Sequence, residues 1–325
     1  MRRTTDPPQA ARSLADGRLA ALPTETVYGL GARADDPHAI ARLYAAKGRP
    51  ADHPLIAHIA STGALDAWAM AVPDYARALA EACWPGPITL VLPRSPRALD
   101  AITGGQDSVA LRWSSHSAMQ EVLDELVRIT GDPAIAIAAP SANRFGRVSP
   151  TTADHVLTEF ADLPDDDVVL DGGPCEVGVE STIIDCTGDH PRLLRPGAID
   201  TADVERITGL PCTTGSTVRA SGTLESHYAP TARVRVVTGD EIAQWGAPSD
   251  DARTGLLALA EVRTPPGLVR LAAPDDADAY ARVLYAALRE ADALELVTVL
   301  AVPPPAAGIG AAVIDRLTRS ASTAQ

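Results

Sequence analysis

The sequence predicts an α/β protein with a mixed sheet, followed by a second α/β domain. Over about the first 210 residues, short apolar runs alternate with helical patterns, which is typical of an α/β domain. The chain has 325 residues, a length at which two domains are more common than one. Hydrophobic residues make up 46% of the chain, which is enough for a sizeable core.

Eight apolar runs in the first domain predict strands or the ends of strands. In chain order they are 18–22, 55–60, 88–92, 109–113, 134–139, 168–170, 181–185 and 193–194. Helical patterns occupy several of the segments between them, over 37–46, 74–83, 117–129, 152–160 and 201–209. This alternation favours a mixed sheet covered by helices.

The ends of two helices can be predicted from single residues. Asp36 is suited to cap the first helix, Pro37 to occupy its first position and Gly48 to end it. Ser117 and Gln120 have the spacing of a capping box at the start of a later helix.

Composition also predicts where the domains divide. Residues 211–231 are rich in Thr, Ser and Gly and poor in large apolar residues, which is typical of a linker. We therefore predict a first domain over 1–210 and a second over 232–325. The second repeats the α/β pattern, with apolar runs at 234–237, 255–260, 268–271 and 296–301 and helices at 276–290 and 310–320.

Charge and cysteine content exclude several classes of protein. The net charge is −14 and no basic run occurs, which disfavours a broad nucleic-acid or anionic-membrane surface but not a local basic pocket. None of the four cysteines forms a Cys-x-x-Cys pair, so a zinc ribbon or redox motif is not expected. The sequence has no uninterrupted apolar run of about 18 residues, and no apolar segment follows Arg2 and Arg3 as it would in a signal peptide. We therefore expect a cytoplasmic protein with reduced thiols.

One lysine remains in this arginine-rich chain. Of its 28 basic residues, 27 are arginine and the other is Lys47. Lysine is a compact point charge that fits against phosphate oxygens, whereas arginine is a wide planar fork. Lys47 is therefore either a phosphate-binding residue or a chance survivor at the end of a helix. With Arg49 two residues later, it could converge on an anion.

A glycine motif after the first strand has two possible meanings. The segment from Gly29 to Ala34 matches G-x-G-x-x-A, the dinucleotide-binding pattern. The context disfavours that function, because the next helix starts after the match and no second strand ends in a suitably placed acid. The preceding Thr24-Glu25-Thr26 is then either a strand end that presents hydroxyls to a ligand or a simple polar turn.

Several other polar residues lie at predicted strand ends. Arg112 could clamp a carboxylate in a bidentate manner or form a surface salt bridge. His53 and His58 have no common zinc spacing. Ser141 and Asn143 follow the most apolar strand, and Ser149 precedes a helix whose N-terminus could face an anion. The sequence contains neither a G-x-S-x-G elbow nor a Walker motif, so a serine nucleophile is not expected and any nucleotide is held by scattered side chains.

Taken together, these segments resemble the threonylcarbamoyl-AMP synthase family, known as Sua5/YrdC/YciO. The matching segments are 23–31, 47–49, 54–59, 84–89, 109–112, 139–143, 178–185 and 195–199. The linker motif at 226–230, together with 284–292 and 311–317, is similar to the longer Sua5 type. The resemblance implies a YrdC-like twisted mixed sheet with helices and a smaller Rossmann-like α/β C-terminal Sua5 domain.

The resemblance also implies an activity. Members are nucleotidyltransferases that make L-threonylcarbamoyladenylate and pyrophosphate from L-threonine, bicarbonate and ATP, with Mg²⁺. Their product supplies the N6-threonylcarbamoyl group of adenosine 37 in tRNA through downstream transfer proteins. Direct binding of tRNA by this acidic chain is not expected.

The same resemblance implies roles for individual residues. L-Threonine would be held by Thr26, His58, Arg112, Ala139 and Ser181, with Arg112 on its carboxylate. ATP would be bound by Lys47, Arg49, His53, Ser108, Ser141, Asn143, Ser149, Arg195 and Tyr228. Lys47 and Arg49 would be the catalytic cations, and Tyr228 would fold over the site as a lid that excludes water. No metal ligand is expected from the protein.

One departure and two alternatives remain. Members commonly have Asn where this chain has His53, so the geometry of that nucleotide contact differs. An RNA-binding or ribosome-associated module is an alternative function, which the net charge disfavours. A carbamoyl-transfer enzyme of the hydrogenase-maturation kind shares the core but requires zinc-finger cysteines.

Overall fold

The computed structural model describes residues 1–222, 228–246 and 253–322. The chain divides into two compact units. The first comprises Met1–Phe145, Pro150–Cys175 and, among the described residues, 180–222. The second comprises Gly146–Ser149, Glu176–Val179 and the described residues after 227. Two short segments that precede the predicted boundary near residue 210 thus belong to the second unit.

A mixed sheet forms the centre of the first unit. Within the described residues its ten strands are β1 (Arg2–Thr4), β2 (Ala20–Leu22), β3 (Gly29–Arg33), β4 (Ile56–Ile59), β5 (Ile88–Pro93), β6 (Ser108–Arg112), β7 (Ala136–Ala138), β8 (Val168–Leu170), β9 (Thr182–Asp185) and β10 (Arg192–Arg195). They lie in the order β1-β8-β2-β3-β7-β4-β6-β5-β9-β10. Strand β6 is parallel to β4 and antiparallel to β5, so the predicted mixed sheet is confirmed.

Helices cover both faces of this sheet. They are α1 (Pro7–Ala15), α2 (Pro37–Lys47), α3 (Leu65–Trp68), α4 (Asp74–Cys83), α5 (Asp100–Thr103), α6 (Ser117–Thr130), α7 (Ala153–Glu159) and α8 (Thr201–Thr208), with a 3₁₀ turn at Thr62–Ala64. Alternate residues of a strand point to opposite faces. Accordingly Ala20 and Leu22 belong to the apolar cluster that contains α1 and α6 residues, whereas Ala21 belongs to the one that contains α2 and α4 residues.

The predicted ends of α2 are confirmed. The side chain of Asp36 accepts hydrogen bonds from the amides of His38 and Ala39, and Pro37 is the first helical residue. Gly48 ends the helix with φ at 61°, the left-handed region in which glycine is favoured. Because the helix ends here, Lys47 is the last residue of α2.

The predicted capping box of α6 is wrong. His116 is the N-cap residue, and its side chain makes no cap hydrogen bond to any described residue. Gln120 instead donates from its amide to the carbonyl of Ser114 at 3.0 Å. The Ser-x-x-Gln spacing lies one residue inside the helix, because the chain enters it through Ser114 and His116.

Strand β3 is not predicted from the sequence, because two glycines in five residues suggest a loop. In the structure it lies between β2 and β7. A Cβ at Gly31 would lie 2.8 Å from Cγ2 of Ile137 and 3.1 Å from the carbonyl of Ala20. The glycine motif therefore permits close strand packing, and the dinucleotide-binding alternative is excluded because the motif lies within a strand and not at a turn into a helix.

Three elements near the ends of the domains are also missed. Strand β1 pairs with β8 at the edge of the sheet, and its Arg-Arg-Thr sequence has no apolar pattern. Helix α1 follows it with a proline at its first position, a start signal present in the sequence. In the second unit, Thr238 and Glu241 form a capping box at the start of α9 (Gly239–Ala243), a second overlooked signal.

The second unit contains a parallel sheet of its own. Its described strands are β11 (Arg233–Val236), β12 (Thr254–Leu257), β13 (Val269–Ala272) and β14 (Thr298–Ala301), in the order β11-β14-β12-β13. All three strand pairs are parallel. Helices α10 (Ala277–Ala293) and α11 (Gly310–Ala321) complete the unit. The predicted second α/β domain is confirmed in fold class.

The length and hydrophobicity of each helix decide whether it could span a membrane. No helix among the described residues is both long enough and apolar enough to span a bilayer.

Candidate active site

His58 and Arg112 lie directly opposite each other in the middle of the larger sheet. They are register partners on the neighbouring parallel strands β4 and β6. Both side chains are buried, and Arg112 exposes only 4% of its surface. Arg112 is the last residue of its strand and His58 the last but one of its own. Two of the residues predicted to hold threonine thus lie side by side near the carboxyl ends of two central strands.

The turn after β2 holds the guanidinium group of Arg112. Its Nη2 lies 2.8 Å from Oε1 of Glu25 and donates to Oγ1 of Thr26 at 2.9 Å. The hydroxyl of Ser114 donates to the other carboxylate oxygen of Glu25. The structure therefore brings together Thr26 and Arg112, two of the residues predicted to hold threonine. It also adds Glu25, which sequence reasoning overlooks although an acid between two threonines at a strand end is a usable signal.

The charges of this cluster follow from burial and contact. Burial raises the pKa of Glu25, but the charge of Arg112 and the hydrogen bond from Ser114 outweigh it and leave that pKa below its ordinary value. Burial, with a contribution from the charge of Arg112, lowers the pKa of His58 to about 3. At neutral pH the cluster contains one guanidinium, one carboxylate and a neutral imidazole.

Two nitrogens of the cluster have hydrogen-bonding capacity that is not used within the described residues. Nε of Arg112 and Nδ1 of His58 are buried, and neither forms a hydrogen bond within the described part of the chain. Buried polar atoms in folded proteins are almost always paired, and an unpaired one costs about 1–3 kcal/mol. A small polar ligand that contacted these nitrogens would remove that cost.

Small residues allow such a ligand to approach the backbone beside His58. Ala139 follows β7, and its amide donates to the carbonyl of Ile56 at 2.9 Å. A Cβ at Gly29 would lie 3.1 Å from the Cβ of Ala139, so the space is already tight. The predicted backbone approach at Ala139 therefore depends on small side chains at both positions.

Ser181 joins this region through a buried network. Its hydroxyl lies 2.8 Å from Oγ1 of Thr89 and accepts from Nη2 of Arg195 at 3.1 Å. Nε of Arg195 also donates to the carbonyl of Ser181 at 3.0 Å. Thr89 lies on β5 next to the strand that carries Arg112, because Leu90 and Leu111 are register partners. Sequence reasoning misses Thr89, since it is one polar residue in an apolar strand.

Lys47 lies against the turn that follows β7. Its ammonium group donates to the carbonyl of Ser141 at 2.6 Å and to the carbonyl of Asn143. It exposes 2% of its surface. Burial, followed by the charge of Arg49, lowers its pKa well below the ordinary value. The structure therefore brings together Lys47, Ser141 and Asn143, and shows the lysine holding backbone carbonyls.

Arg49 and Arg195 are linked through the start of the interdomain linker. Nη2 of Arg49 donates to Oγ of Ser221 at 3.3 Å, and Nη1 of Arg195 donates to the carbonyl of Ser221 at 2.9 Å. Arg49 also donates to the carbonyl of Pro54 at 3.0 Å. The two arginines predicted to face the triphosphate thus share one partner, which sequence reasoning did not include.

His53 and Phe145 line the region near Arg49. The His53 ring meets the edge of the Phe145 ring with centroids 5.3 Å apart, and the guanidinium of Arg49 lies 5.9 Å from the centroid of that ring. Burial, then the charge of Arg49, lowers the pKa of His53. A flat apolar surface with two nitrogen-bearing side chains suits an aromatic base.

Two other residues predicted to bind ATP, Ser108 and Ser149, take no part in the contacts described above. Ser108 is the first residue of β6 and Arg112 is the last, so about 13 Å of strand separates them. Ser149 is buried in the second unit, where Arg289 donates to its carbonyl at 3.4 Å. Of the linker motif at 226–230, residues 226 and 227 lie outside the described residues.

Tyr228 is held within the second unit. Its ring stacks on Tyr285 with centroids 5.6 Å apart, and the guanidinium of Arg316 lies 5.4 Å from its centroid. Its carbonyl accepts from the hydroxyl of Ser320 at 3.0 Å. Its φ of 65° is uncommon for a bulky residue. In the structure the Tyr228 ring therefore packs against residues of the second unit.

In the part of the chain that the structure describes, no three His, Cys, Asp or Glu side chains are grouped as a metal site would require.

Comparison with known proteins identifies the family. A family model described as "Telomere recombination", Sua5_yciO_yrdC, matches residues 12–197. A second model, described as "Threonylcarbamoyl-AMP synthase, C-terminal domain", matches residues 198–322. Together they span both units.

Curated relatives and solved structures agree. The threonylcarbamoyl-AMP synthase of Pyrococcus abyssi is 40% identical over 331 residues, which cover 96% of this chain and 92% of that protein. The enzyme of the same name from Bacillus subtilis is 36% identical, covering 98% and 94%. The crystal structure of P. abyssi Sua5 complexed with L-threonine is similar with a TM-score of 0.87 at 36% identity, over 99% of this chain and 96% of that one.

The predicted family is therefore confirmed by identity that extends across both domains. The chain belongs to the Sua5/YciO/YrdC family, in the two-domain form that carries the C-terminal domain of threonylcarbamoyl-AMP synthases.

Proposed function

We propose that this protein is an L-threonylcarbamoyl-AMP synthase, a nucleotidyltransferase that converts L-threonine, bicarbonate and ATP to L-threonylcarbamoyladenylate and pyrophosphate. The observation that carries the proposal is the buried pair of His58 and Arg112, each with a nitrogen available to a polar ligand. This pair belongs to a fold whose relative was solved with L-threonine.

The carboxylate of threonine binds Arg112. Arginine presents donors in a planar fork that matches a carboxylate, and the buried Nε supplies one of them. Neutral His58 contributes a hydrogen bond without a second charge. Thr26 and Ser181 offer hydroxyls to the polar groups of the substrate, and the backbone at Ala139 lies close to it.

The chemistry needs no protein nucleophile. The deprotonated amine of threonine and bicarbonate give the N-carboxy-threonine carbamate with loss of water. A carbamate oxygen then attacks the α-phosphorus of ATP, a P–O bond forms, and the bond to the β-phosphate oxygen breaks to release pyrophosphate. The protein contributes positioning and neutralisation of the phosphate charge.

Arginines supply that neutralisation. Arg49 and Arg195 share Ser221 as a partner, so their guanidinium groups are already gathered before ATP arrives. Lys47 adds a buried cation and fixes the turn of Ser141 and Asn143, which contacts the nucleotide. His53 packs against Phe145 in the same region, where it contacts the adenosine part of ATP, to which Ser108 also contributes.

Mg²⁺ enters as part of the substrate MgATP. This ion keeps most of its water and is commonly bound through substrate phosphates and one or two carboxylates. The ion would neutralise phosphate charge in the transition state.

Ser149 and Tyr228 are the remaining residues proposed to bind ATP, and Tyr228 is proposed as the lid that excludes water from the product, a mixed anhydride that water hydrolyses. In the structure the Tyr228 ring stacks on Tyr285. Transfer proteins in the cytoplasm then consume the product to modify adenosine 37 of tRNA.

Pyrophosphate release tests this function. The purified protein should release pyrophosphate only when L-threonine, bicarbonate and MgATP are all present, and omission of any one should return the rate to background. Lys47→Ala should lower the rate by at least about 100-fold, a loss of about 2.7 kcal/mol of transition-state stabilisation. Absence of release with all three substrates, or full activity of Lys47→Ala, would overturn the proposal.

A further inference from the structure

Glu25 is a buried carboxylate for which the reaction as proposed has no use. It exposes 4% of its surface and lies 2.8 Å from Nη2 of Arg112, the group that binds the carboxylate of threonine. A buried carboxylate costs desolvation energy, so its presence beside an anion-binding arginine needs a reason. An arginine alone would attract a carboxylate more strongly.

The carboxylate of Glu25 is fixed in place by contacts on both oxygens. Oε1 faces Arg112, and Oε2 accepts from the hydroxyl of Ser114. Ser114 is itself buried and held, because its hydroxyl accepts from the amide of His116 at 3.2 Å. One ion pair and one hydrogen bond therefore hold the negative charge of Glu25 beside Arg112.

Within the cluster of Glu25, His58 and Arg112, the charges of Arg112 and Glu25 balance, since His58 is neutral. A simple carboxylate that enters meets the attraction of Arg112 together with the repulsion of Glu25. A zwitterionic amino acid has no net charge, and its ammonium group offsets that repulsion. In a buried site of low effective dielectric such differences are large.

We propose that Glu25 is the specificity-determining residue that makes this pocket prefer a zwitterionic amino acid to a simple hydroxy acid. The inference rests on the proposed function, because it places the carboxylate of threonine on Arg112. It assigns Glu25 to selectivity, and Ser114 to positioning the carboxylate of Glu25.

Binding of two ligands to the full-length protein tests the proposal. Calorimetry gives the Kd of L-threonine and of 3-hydroxybutyrate, which is threonine without its amino group. Glu25→Gln keeps the size of the side chain and removes its charge. We expect this variant to reduce the preference for threonine over 3-hydroxybutyrate by about tenfold or more, since tenfold corresponds to one pKa unit of interaction energy. An unchanged preference, with both affinities lowered alike, would overturn the proposal.

Ser114→Ala is the matched control. It removes a hydrogen bond to Glu25 and leaves the charge, so both affinities should fall while their ratio stays that of the wild type. A ratio that shifted as much in Ser114→Ala as in Glu25→Gln would show that disturbed geometry, and not charge, governs the preference.

The wild-type protein supplies a measurement that depends on no variant. Threoninol, a cation without the carboxylate, and 3-hydroxybutyrate should each bind at least about tenfold more weakly than threonine. Binding of 3-hydroxybutyrate within about threefold of threonine would contradict selection by Glu25.

A double variant separates this inference from the proposed site. Arg112→Gln with Glu25→Gln removes both charges together and so leaves no lone buried charge. Wild-type affinity of the double variant for threonine would show that Arg112 does not hold the substrate. Loss of threonine binding in the double variant, with a wild-type ratio in Glu25→Gln, would overturn only the role of Glu25.

Discussion

The ammonium group of Lys47 lies 2.6 Å from the carbonyl oxygen of Ser141, which joins the end of α2 to the turn after β7. The turn belongs to the predicted nucleotide site, and the same ammonium group also donates to the carbonyl of Asn143. Lysine fits here because three compact donors on one nitrogen can serve carbonyls that converge on a point. The single lysine of the chain thus occupies a position that arginine cannot fill in the same way.

We therefore expect Lys47→Arg to lower kcat although the charge is kept. The planar guanidinium is wider than an ammonium group and would displace the turn of Ser141 and Asn143. A loss of about tenfold or more is expected in pyrophosphate release. Arg42→Lys, an exchange on the outer face of the same helix, is the control and should keep the wild-type rate. Full activity of Lys47→Arg would contradict a specific requirement for lysine at this position.

His58 should make stability depend on pH. Its folded pKa of about 3 lies below the unfolded value of 6.5. Between these values the unfolded chain binds a proton that the folded protein does not, so stability is lost as pH falls from 6.5 toward 3. At pH 5 the loss from this group is about 2 kcal/mol. We expect the free energy of unfolding, measured with urea, to fall by about 2 kcal/mol less between pH 7.5 and pH 5 in His58→Gln than in the wild type. The exposed residue His38 provides the control, and His38→Gln should retain the wild-type difference.

Thr89 should support substrate binding through Ser181. Thr89→Val keeps the shape of the side chain and removes the hydroxyl that lies 2.8 Å from Oγ of Ser181. Loss of about 1 kcal/mol of hydrogen bonding predicts a rise of about fivefold in the KM for threonine. Thr103→Val removes a buried hydroxyl that bonds Arg94, away from this network, and should leave KM unchanged. Equal effects of the two variants on KM would argue against a specific role for Thr89.

Gly31 tests the close packing of β3. In Gly31→Ala the new Cβ would lie 2.8 Å from Ile137 and 3.1 Å from the carbonyl of Ala20. Since the strands on both sides are fixed by the sheet, we expect a loss of about 1–3 kcal/mol in the free energy of unfolding, measured with urea. At exposed Gly63 the nearest atom to a Cβ would be Ser61 Oγ at 3.4 Å, so Gly63→Ala should change stability by less than about 0.5 kcal/mol. An unaffected Gly31→Ala would contradict the close strand contact.

Residues at the ends of apolar strands could be predicted, because the end of a buried strand places polar side chains at the edge of a sheet. His58 and Arg112 are of this kind, and the stop of α2 at Gly48 placed Lys47 in the same way. Their individual roles in catalysis stay predictions until variants are measured.

The remaining parts of the site depend on contacts between distant segments. Thr26 and Arg112 are 86 residues apart and meet only in the folded sheet, and Ser114 reaches Glu25 across 89 residues. Local patterns contain no information about such pairs. β3 was missed because its glycines serve packing against Ile137, a tertiary requirement that overrides strand propensity. Likewise, no composition change marks Gly146–Ser149 as part of the second unit.

Isotope transfer from bicarbonate to the adenylate is the most direct test of the proposed reaction. The protein is incubated with L-threonine, MgATP and ¹³C-labelled bicarbonate, and the adenylates are analysed by mass spectrometry. We expect threonylcarbamoyl-AMP that carries one ¹³C, with one pyrophosphate per product. We expect none of this product from the Arg112→Gln/Glu25→Gln double variant. Formation of threonyl-AMP without the label, or of no adenylate at all, would contradict the proposed reaction.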